Sequence, residues 1–310
     1  MKTNFTILFV CTLLLFSCLR EDVSHCPEQI RVYFTFPSYT INSADVDRMH
    51  LYVFDHKGYY LGEYRDDYIP HFNADYYMEC SDLLPGRYRF ITWGGKDEKD
   101  YSTTPSSFVV GKTTFDEARL IFEHPENVVS TPLHHLFHAD LLATVTSAKV
   151  QRFDMPLKQL SNTINIHTVG LPFDTNAYTF NITDNCCIYT FDCSAIPYVH
   201  PTVTYTAPCI KDGANQLHAS LNILQLAADR HTPQLEIYNQ TANTVLYPVG
   251  AQSGDLIDLI LSAYRFHDFE TTHTYDIVLT FTGDESTGFA VAITVNGWQV
   301  HNQNEELVEQ

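Results

Sequence analysis

Apolar and polar residues alternate along most of this chain. In "IRVYFTF" (30–36), Ile30, Val32, Phe34 and Phe36 fall on one side of an extended chain and Arg31, Tyr33 and Thr35 on the other. Successive side chains of a strand point to opposite faces, so this period of two predicts a half-buried β-strand. "LYVFDHKGYYLGEY" (51–64) is two aromatic-rich runs around Asp55-His56-Lys57-Gly58, which predicts a hairpin. In "LLPGRYRFITWGG" (83–95), a Pro85-Gly86 turn feeds a strand that ends at Gly94-Gly95. "TINIHTV" (163–169), "LHASLNI" (217–223), "LEIYNQTANTVLYPV" (235–249), "YDIVLTF" (275–281) and "FAVAITVNGW" (289–298) read the same way. In the last of these, Phe289, Val291, Ile293 and Val295 share a face.

Helical periods are few. "TTFDEARLIF" (113–122) places Thr114 and Glu117 at the spacing of a capping box. "SGDLIDLILSAY" (253–264) predicts a short helix capped by Ser253, with Asp255 in its first turn. Many short strands separated by turn residues favour sandwiches or open barrels. One internal echo points to two similar domains: Leu51, Val53, Phe54 and Asp55 reappear in type as Leu235, Ile237, Tyr238 and Asn239, 184 residues on.

The N-terminus breaks the alternation. After Lys2, Phe5 to Phe16 is a continuous run of 12 residues with nothing more polar than Thr6 and Thr12. A bilayer span needs about 20 apolar residues, so a basic start and a run this short predict a secretory signal peptide. Its end, Leu15-Phe16-Ser17-Cys18, looks like a bacterial lipobox. In signals of that kind the cysteine thiol takes a diacylglyceryl group, the chain is cut before it, and the new amine is acylated. Each buried CH₂ contributes about 0.8 kcal/mol and two or more chains hold stably, so an acylated Cys18 is a lasting tether. Leu19 follows, not the Asp that retains some lipoproteins on the inner membrane. Arg20-Glu21-Asp22 resembles the short acidic export signal of surface lipoproteins in Bacteroidetes.

Cleavage before Cys18 leaves 293 residues (310 minus 17), enough for two domains with their own cores. The formal charge is −19. Such a charge repels nucleic-acid phosphates and anionic lipid alike, so no nucleic-acid partner is expected and the tether, not the surface, holds the protein to a membrane. Beyond Cys18 lie Cys26, Cys80, Cys186, Cys187, Cys193 and Cys209, an even number in an exported chain, which permits disulfides. The last four lack the C-x2-C spacing of a zinc site, and their connectivity stays open. Cys26 and Cys80 each stand just before a predicted strand and form the candidate disulfide.

Catalytic motifs are missing from the sequence. His134 and His138 have i, i+4 spacing with His135 between them, but the Glu of H-E-x-x-H is absent and Asp140 is the nearest acid. With Pro132 ahead and Leu133 and Phe137 alongside, this reads as packing at a domain junction, and no metal is expected. "GAQSG" (250–254) is not G-x-S-x-G, because its Ser sits one place late. No phosphate or dinucleotide fingerprint appears, and no cofactor or small-molecule substrate is expected. Asp66-Asp67 reads as a solvated loop, and Cys186-Cys187 has no nearby His to complete a nucleophile pair. Trp93 and Trp298 both end apolar strands, where core or rim packing is expected rather than a sugar platform.

Taken in order, "SCLREDVSHCP" (17–27), "IRVYF", "LYVFDHKGYY", "CSDLLPGRYRFITWGG" (80–95), "LEIYNQTANTVLYP" and "ITVNGWQV" (293–300) resemble the FimB/Mfa-type fimbrial anchor lipoproteins of Bacteroidales. The stretch 174–215, with its four cysteines, has no counterpart in that pattern. The resemblance implies an all-β protein of two tandem transthyretin-like β-sandwich domains with few short helices. The expected division is a signal peptide (1–17), a lipidated linker (18–28), sandwiches at 29–145 and 146–303, and an acidic tail (304–310). The implied role is non-catalytic: an outer-membrane, surface-exposed lipoprotein that anchors a fimbria and helps limit its length. Fimbrillin subunits are then the partners, joined by β-strand addition. A surface glycan-binding lipoprotein, or an accessory or tip fimbrial subunit, shares these signals and is the alternative.

Overall fold

Each alternating run pairs with a neighbour whose apolar face matches its own. The computed structural model describes residues 29–36 and 46–300, apart from 149, 173, 175–176, 197–201, 213–215, 229–231, 251, 265–266 and 285–287. The leader, Cys18, Cys26 and the acidic tail lie outside the described residues. In the first half, the strands are β1 (Gln29–Thr35), β2 (Met49–Asp55), β3 (Tyr60–Asp66), β4 (Tyr77–Cys80), β5 (Gly86–Gly94), β6 (Tyr101–Thr104), β7 (Arg119–Phe122), β8 (Val128–Val129), β9 (Phe137–Val145), β10 (Val150–Pro156) and β11 (Lys158–Gln159). Then come β12 (Ser161–Val169), β13 (Tyr178–Asp184), β14 (Ile188–Thr190), β15 (Val203–Pro208), β16 (Ile210–Asp212), β17 (Gln216–Leu224), β18 (Gln234–Asn239) and β19 (Thr244–Tyr247). Helix α1 (Leu256–Ala263), β20 (Thr274–Asp284), β21 (Gly288–Val295) and β22 (Trp298–Gln299) complete the chain, which is all-β but for short helical turns.

A three-stranded sheet, β10-β1-β4, and a five-stranded sheet, β11-β9-β5-β2-β3, make the first sandwich. Ile30, Val32 and Phe34, the apolar positions of the alternation, meet Met49, Leu51, Val53 and Phe90 in its core. A six-stranded sheet, β16-β17-β12-β20-β21-β22, and a five-stranded sheet, β19-β18-β13-β15-β8, make the second. A small sheet, β14-β7-β6, joins strands from both halves of the chain.

The halves interlace. The expected division at 145/146 falls between β9 and β10, and β10 beyond it pairs in parallel with β1 from Gln29↔Val150 to Thr35↔Pro156. In return, β8 pairs in parallel with β15, and β7 pairs with β14. β2 is buried on both faces: Leu51 and Val53 lie in the first core, Tyr52 and Phe54 in the second. Burial on both sides is why "LYVF" is a continuous apolar run where half-buried β1 alternates.

Both hairpins of the internal echo form. β2–β3 carries a bulge between Val53 and Phe54, and β18–β19 carries one at the matching place, between Ile237 and Tyr238. Asp55 Oδ1 accepts from the backbone N–H groups of Lys57 and Tyr59, and Asn239 Oδ1 accepts from those of Thr241 and Ala242. The same turn chemistry, a short side-chain oxygen that holds its own turn, thus recurs at the end of each first strand.

Two local expectations change. The helix expected at 113–122 is a single turn: Thr114 N–H donates to Glu117 Oε1 (2.8 Å), as a capping box requires. Arg119–Phe122 then extends and pairs with both β6 and β14. Two strand partners outweigh a local helix signal four residues long. Helix α1 forms, but its cap is Asp255, not Ser253; Asp255 accepts from the N–H groups of Ile257 and Asp258. Ser253 sits two residues earlier and accepts from Asp255 N–H (3.1 Å).

Candidate functional site: an open seam in the second sandwich

β13 is the centre of its sheet, between β18 and β15. β15 pairs with β13 from Val203 to Pro208, but on its other side β8 covers only Thr204 and Tyr205. β8 is two residues long, so the edge at 206–208 has no strand partner among the described residues. Pro208, which has no N–H, closes the strand. The facing sheet repeats the arrangement. β17 pairs with β12 along its length, while β16 covers only Gln216 to His218 on the outer side. The edge at 219–223 is likewise unpaired among the described residues.

Between these two edges runs a groove of about 290 Å³. Val129, Pro132, Tyr205, Ala207, Ile210 and Leu221 give it an apolar lining. Ile210, 54% exposed, stands at its rim. Hydrogen bonds hold it open. Tyr205 Oη accepts from Leu224 N–H (3.4 Å), tying the two layers together. Desolvation lifts this phenol far above its ordinary pKa, so it stays neutral. Asn222 Nδ2 donates to Leu133 O (2.9 Å) and fixes the segment that leaves β8.

An unpaired edge beside an apolar groove is a template for an extended chain: backbone groups give pairing, and the groove receives alternate side chains. Two other long edges carry guards. β3 bears Glu63, Arg65 and Asp66, and β10 bears Arg152 bonded to Asp154 (2.7 Å). Charges on an edge discourage pairing.

A larger cleft, about 600 Å³, lies on the first sandwich, lined by Asp55, Lys57, Arg87, Arg89, Phe115 and Leu142. Its walls β2 and β5 are paired on both sides; β11 covers β9 only at Phe137 and His138, but the lining beside that edge carries Asp55, Lys57, Arg87 and Arg89, charges that discourage pairing. Arg89 is already occupied, bonded through Nε to Asp140 (2.9 Å) and stacked 3.6 Å over the Phe115 ring.

The histidines of the 134–138 cluster are separated. His138 lies in β9, buried, with Nε2 3.0 Å from Phe191 O and its ring 4.6 Å from that of Trp93. His135 Nδ1 meets Ser161 Oγ (2.8 Å), and His134 is exposed. Loop and strand geometry replace the helical face that i, i+4 spacing suggests. Burial pushes the Cys80 and Cys187 thiols up to about 12, the reverse of an activated nucleophile. Asp66 accepts from Tyr76 Oη (3.1 Å) and Asp67 from Arg65 (3.0 Å). Trp93 is fully buried, whereas Trp298 is a rim residue, 62% exposed and 6.2 Å from the Tyr264 ring.

The family model of the fimbrillin-A associated anchor proteins Mfa1 and Mfa2 matches residues 23–304. This chain belongs to that family. The anchor-family fold is shared with the fimbrial anchor protein Mfa2 from Porphyromonas gingivalis, at a TM-score of 0.72 and 18% identity over 89% of this chain and 100% of that one. A candidate polysaccharide-binding protein from Bacteroides thetaiotaomicron superposes at 0.73, with 21% identity over 90% and 99% of the two chains. A candidate adhesin from Bacteroides ovatus superposes at 0.71, with 18% identity over 92% and 98%. Among curated proteins none matches the sequence. The family gives the chain a fimbrial accessory role; the three structures add the fold alone. No helix among the described residues of this anchor-family protein is long and apolar enough to cross a membrane.

Sequence reasoning missed the seam. β15 lies inside 174–215, the stretch without a counterpart in the family pattern, and the gap exists only because β8 and β16 are short. A two-residue strand leaves no periodicity to read.

Proposed function

We propose that this protein anchors a fimbria to the bacterial outer membrane, tethered through lipid on Cys18 and joined to a fimbrillin by strand addition in the seam between β15 and β17. The observation that carries the joining step is the pair of half-covered edges over one apolar groove, at 206–208 and 219–223. The occupant is an extended fimbrillin segment, which membership of a fimbrillin-associated anchor family supports. Edge pairing supplies the backbone hydrogen bonds, and alternate apolar side chains fill the groove. A subunit whose strand is seated here has no free strand at that end. Growth then stops there, which is how an anchor also limits length. The role is structural and non-catalytic.

Two variants separate the parts of this reading. Cys18→Ala removes the tether, so cells shed assembled fimbriae into the medium. Ile210→Asp combined with Ala207→Glu puts charge into the groove while the lipid remains, so the protein stays in the membrane but no longer co-purifies fimbrillin. Fibres that stay fully cell-bound in a strain lacking the protein overturn the anchor. Fimbrillin that still co-purifies with the folded groove variant overturns the seam and leaves the anchor standing. A glycan-binding role predicts normal fimbriae and lost retardation by polysaccharide instead.

A further inference from the structure

The outer face of the six-stranded sheet carries one unusual row. His167 on β12 and His218 on β17 are register partners, with ring centroids 4.6 Å apart and planes 25° from parallel. Ile210 on β16 stands beside His218, and Val278 on β20 beside His167. The adjacent row is polar and satisfied within itself: Ser220 Oγ donates to Asn165 Oδ1 (2.8 Å), and Asn165 Nδ2 donates to Asp276 Oδ1 (2.8 Å). Among the described residues none forms a side-chain hydrogen bond with either imidazole. Two half-buried imidazoles therefore face each other across neighbouring strands, held in place by paired backbone.

We propose that His167 and His218 together bind a divalent transition-metal ion of the zinc, nickel or copper class, through one ring nitrogen each. Neutral imidazole is a ligand for these metals, and sites on strands hold their donors more firmly than sites on loops. Burial, and then the charge of His167, lower the pKa of His218 below its ordinary value. That favours the neutral ring a metal ligand needs at His218. Asp212 and Asp276 act electrostatically on His218 and favour a nearby positive charge. Among the described residues there is no group of three or more His, Cys, Asp or Glu side chains placed to hold one ion. The site is therefore two-coordinate from the protein, with water in the remaining positions, and it exchanges its ion readily. His218 also lines the groove of the seam, so the ion is tested on the chain alone, with no strand seated there.

The test titrates the full mature chain, without an affinity tag, with Zn²⁺ and Ni²⁺ by calorimetry at pH 7.5. His167→Ala, His218→Ala and the double variant are compared with the wild type. Losing a ligand costs no less than losing a partner behind one, so each single variant weakens this site by about tenfold or more. Cu²⁺ added to the wild type gives a resonance spectrum with two nitrogen ligands, reduced to one in either single variant. The sequence holds 15 histidines, so the reading is the difference between proteins and not the presence of binding. Circular dichroism matched to the wild type qualifies each variant, and His218→Gln replaces any that fails to fold. Equal site number and affinity in the wild type and double variant overturn the proposal and leave the two rings a surface stack.

Discussion

Replacing His138 by Gln should flatten the acid limb of the stability curve. His138 is 4% exposed, packed against Trp93, with Nε2 on Phe191 O. Burial lowers its pKa from 6.5 to about 4, against smaller opposing pulls from the Phe191 carbonyl, Asp140 and Asp192; Lys158 acts with burial. The unfolded chain binds this proton from about pH 6.5 downward, while the folded protein resists it until near pH 4. Between those values the unfolded state holds more protons, so stability rises with pH. The contribution is full above pH 6.5 and lost as pH falls toward 4. At about 1.4 kcal/mol per pH unit the whole gap amounts to about 3 kcal/mol, of which about 2 kcal/mol is lost between pH 7 and pH 5. Glutamine keeps an N–H for Phe191 O and does not titrate. Urea unfolding followed by Trp fluorescence at pH 7, 6 and 5 should show the wild type losing about 2 kcal/mol more than His138→Gln across that window. Parallel curves for the two proteins would show that His138 ionises freely in the fold, and would refute the reasoning.

Gly95 has φ +71°, and a Cβ there would lie 2.0 Å from the backbone oxygen of His135, so Gly95→Ala should cost at least about 2 kcal/mol in urea unfolding; a neutral result would mean the β5 exit is loosely held. Asp255→Ala removes the cap of α1 and should cost about 1 kcal/mol by the same assay, with Ser253→Ala costing less. We expect Cys26 and Cys80 to be joined in the exported protein: Cys80 lies opposite Ile30 on β1, four residues from Cys26 along the chain. Closing that loop contributes about 4 kcal/mol in the chain-entropy model, and a non-reducing peptide map that finds both thiols free would reject the pairing.

Strands with a face to water were legible, because burial of one side leaves alternation. β1 and β21 follow their patterns, with Ile30, Val32, Phe34, Ile293 and Val295 buried. Turn chemistry was legible too, since Asp55 and Asn239 act within a few residues of themselves. Local signals failed where distant partners decide the outcome. Thr114 and Glu117 make their hydrogen bond, yet β6 and β14 draw Arg119–Phe122 into a sheet. The i, i+4 spacing of His134 and His138 had meaning only on a helix, and β9 is a strand paired with β5 from Gly86↔Val145 to Gly94↔Phe137. The seam depends on how far β8 and β16 extend, which is set by three-dimensional closure and not by any pattern in the residues around them.

The parallel pairing of β1 with β10 has a mechanical meaning. Under the proposed tether, tension enters at the N-terminal end of β1, and it leaves from the C-terminal end of β10, which leads on into the second sandwich. Parallel strands pulled from opposite ends slide along each other, so the bonds of all seven register pairs from Gln29 to Thr35 resist together instead of opening one after another. β4 grips the other side of β1 at Ile30 to Tyr33. Resistance to forced unfolding is set by the height of the barrier to leaving the native state, and a strand clamped in shear raises that barrier at the point where the surface of the cell takes hold.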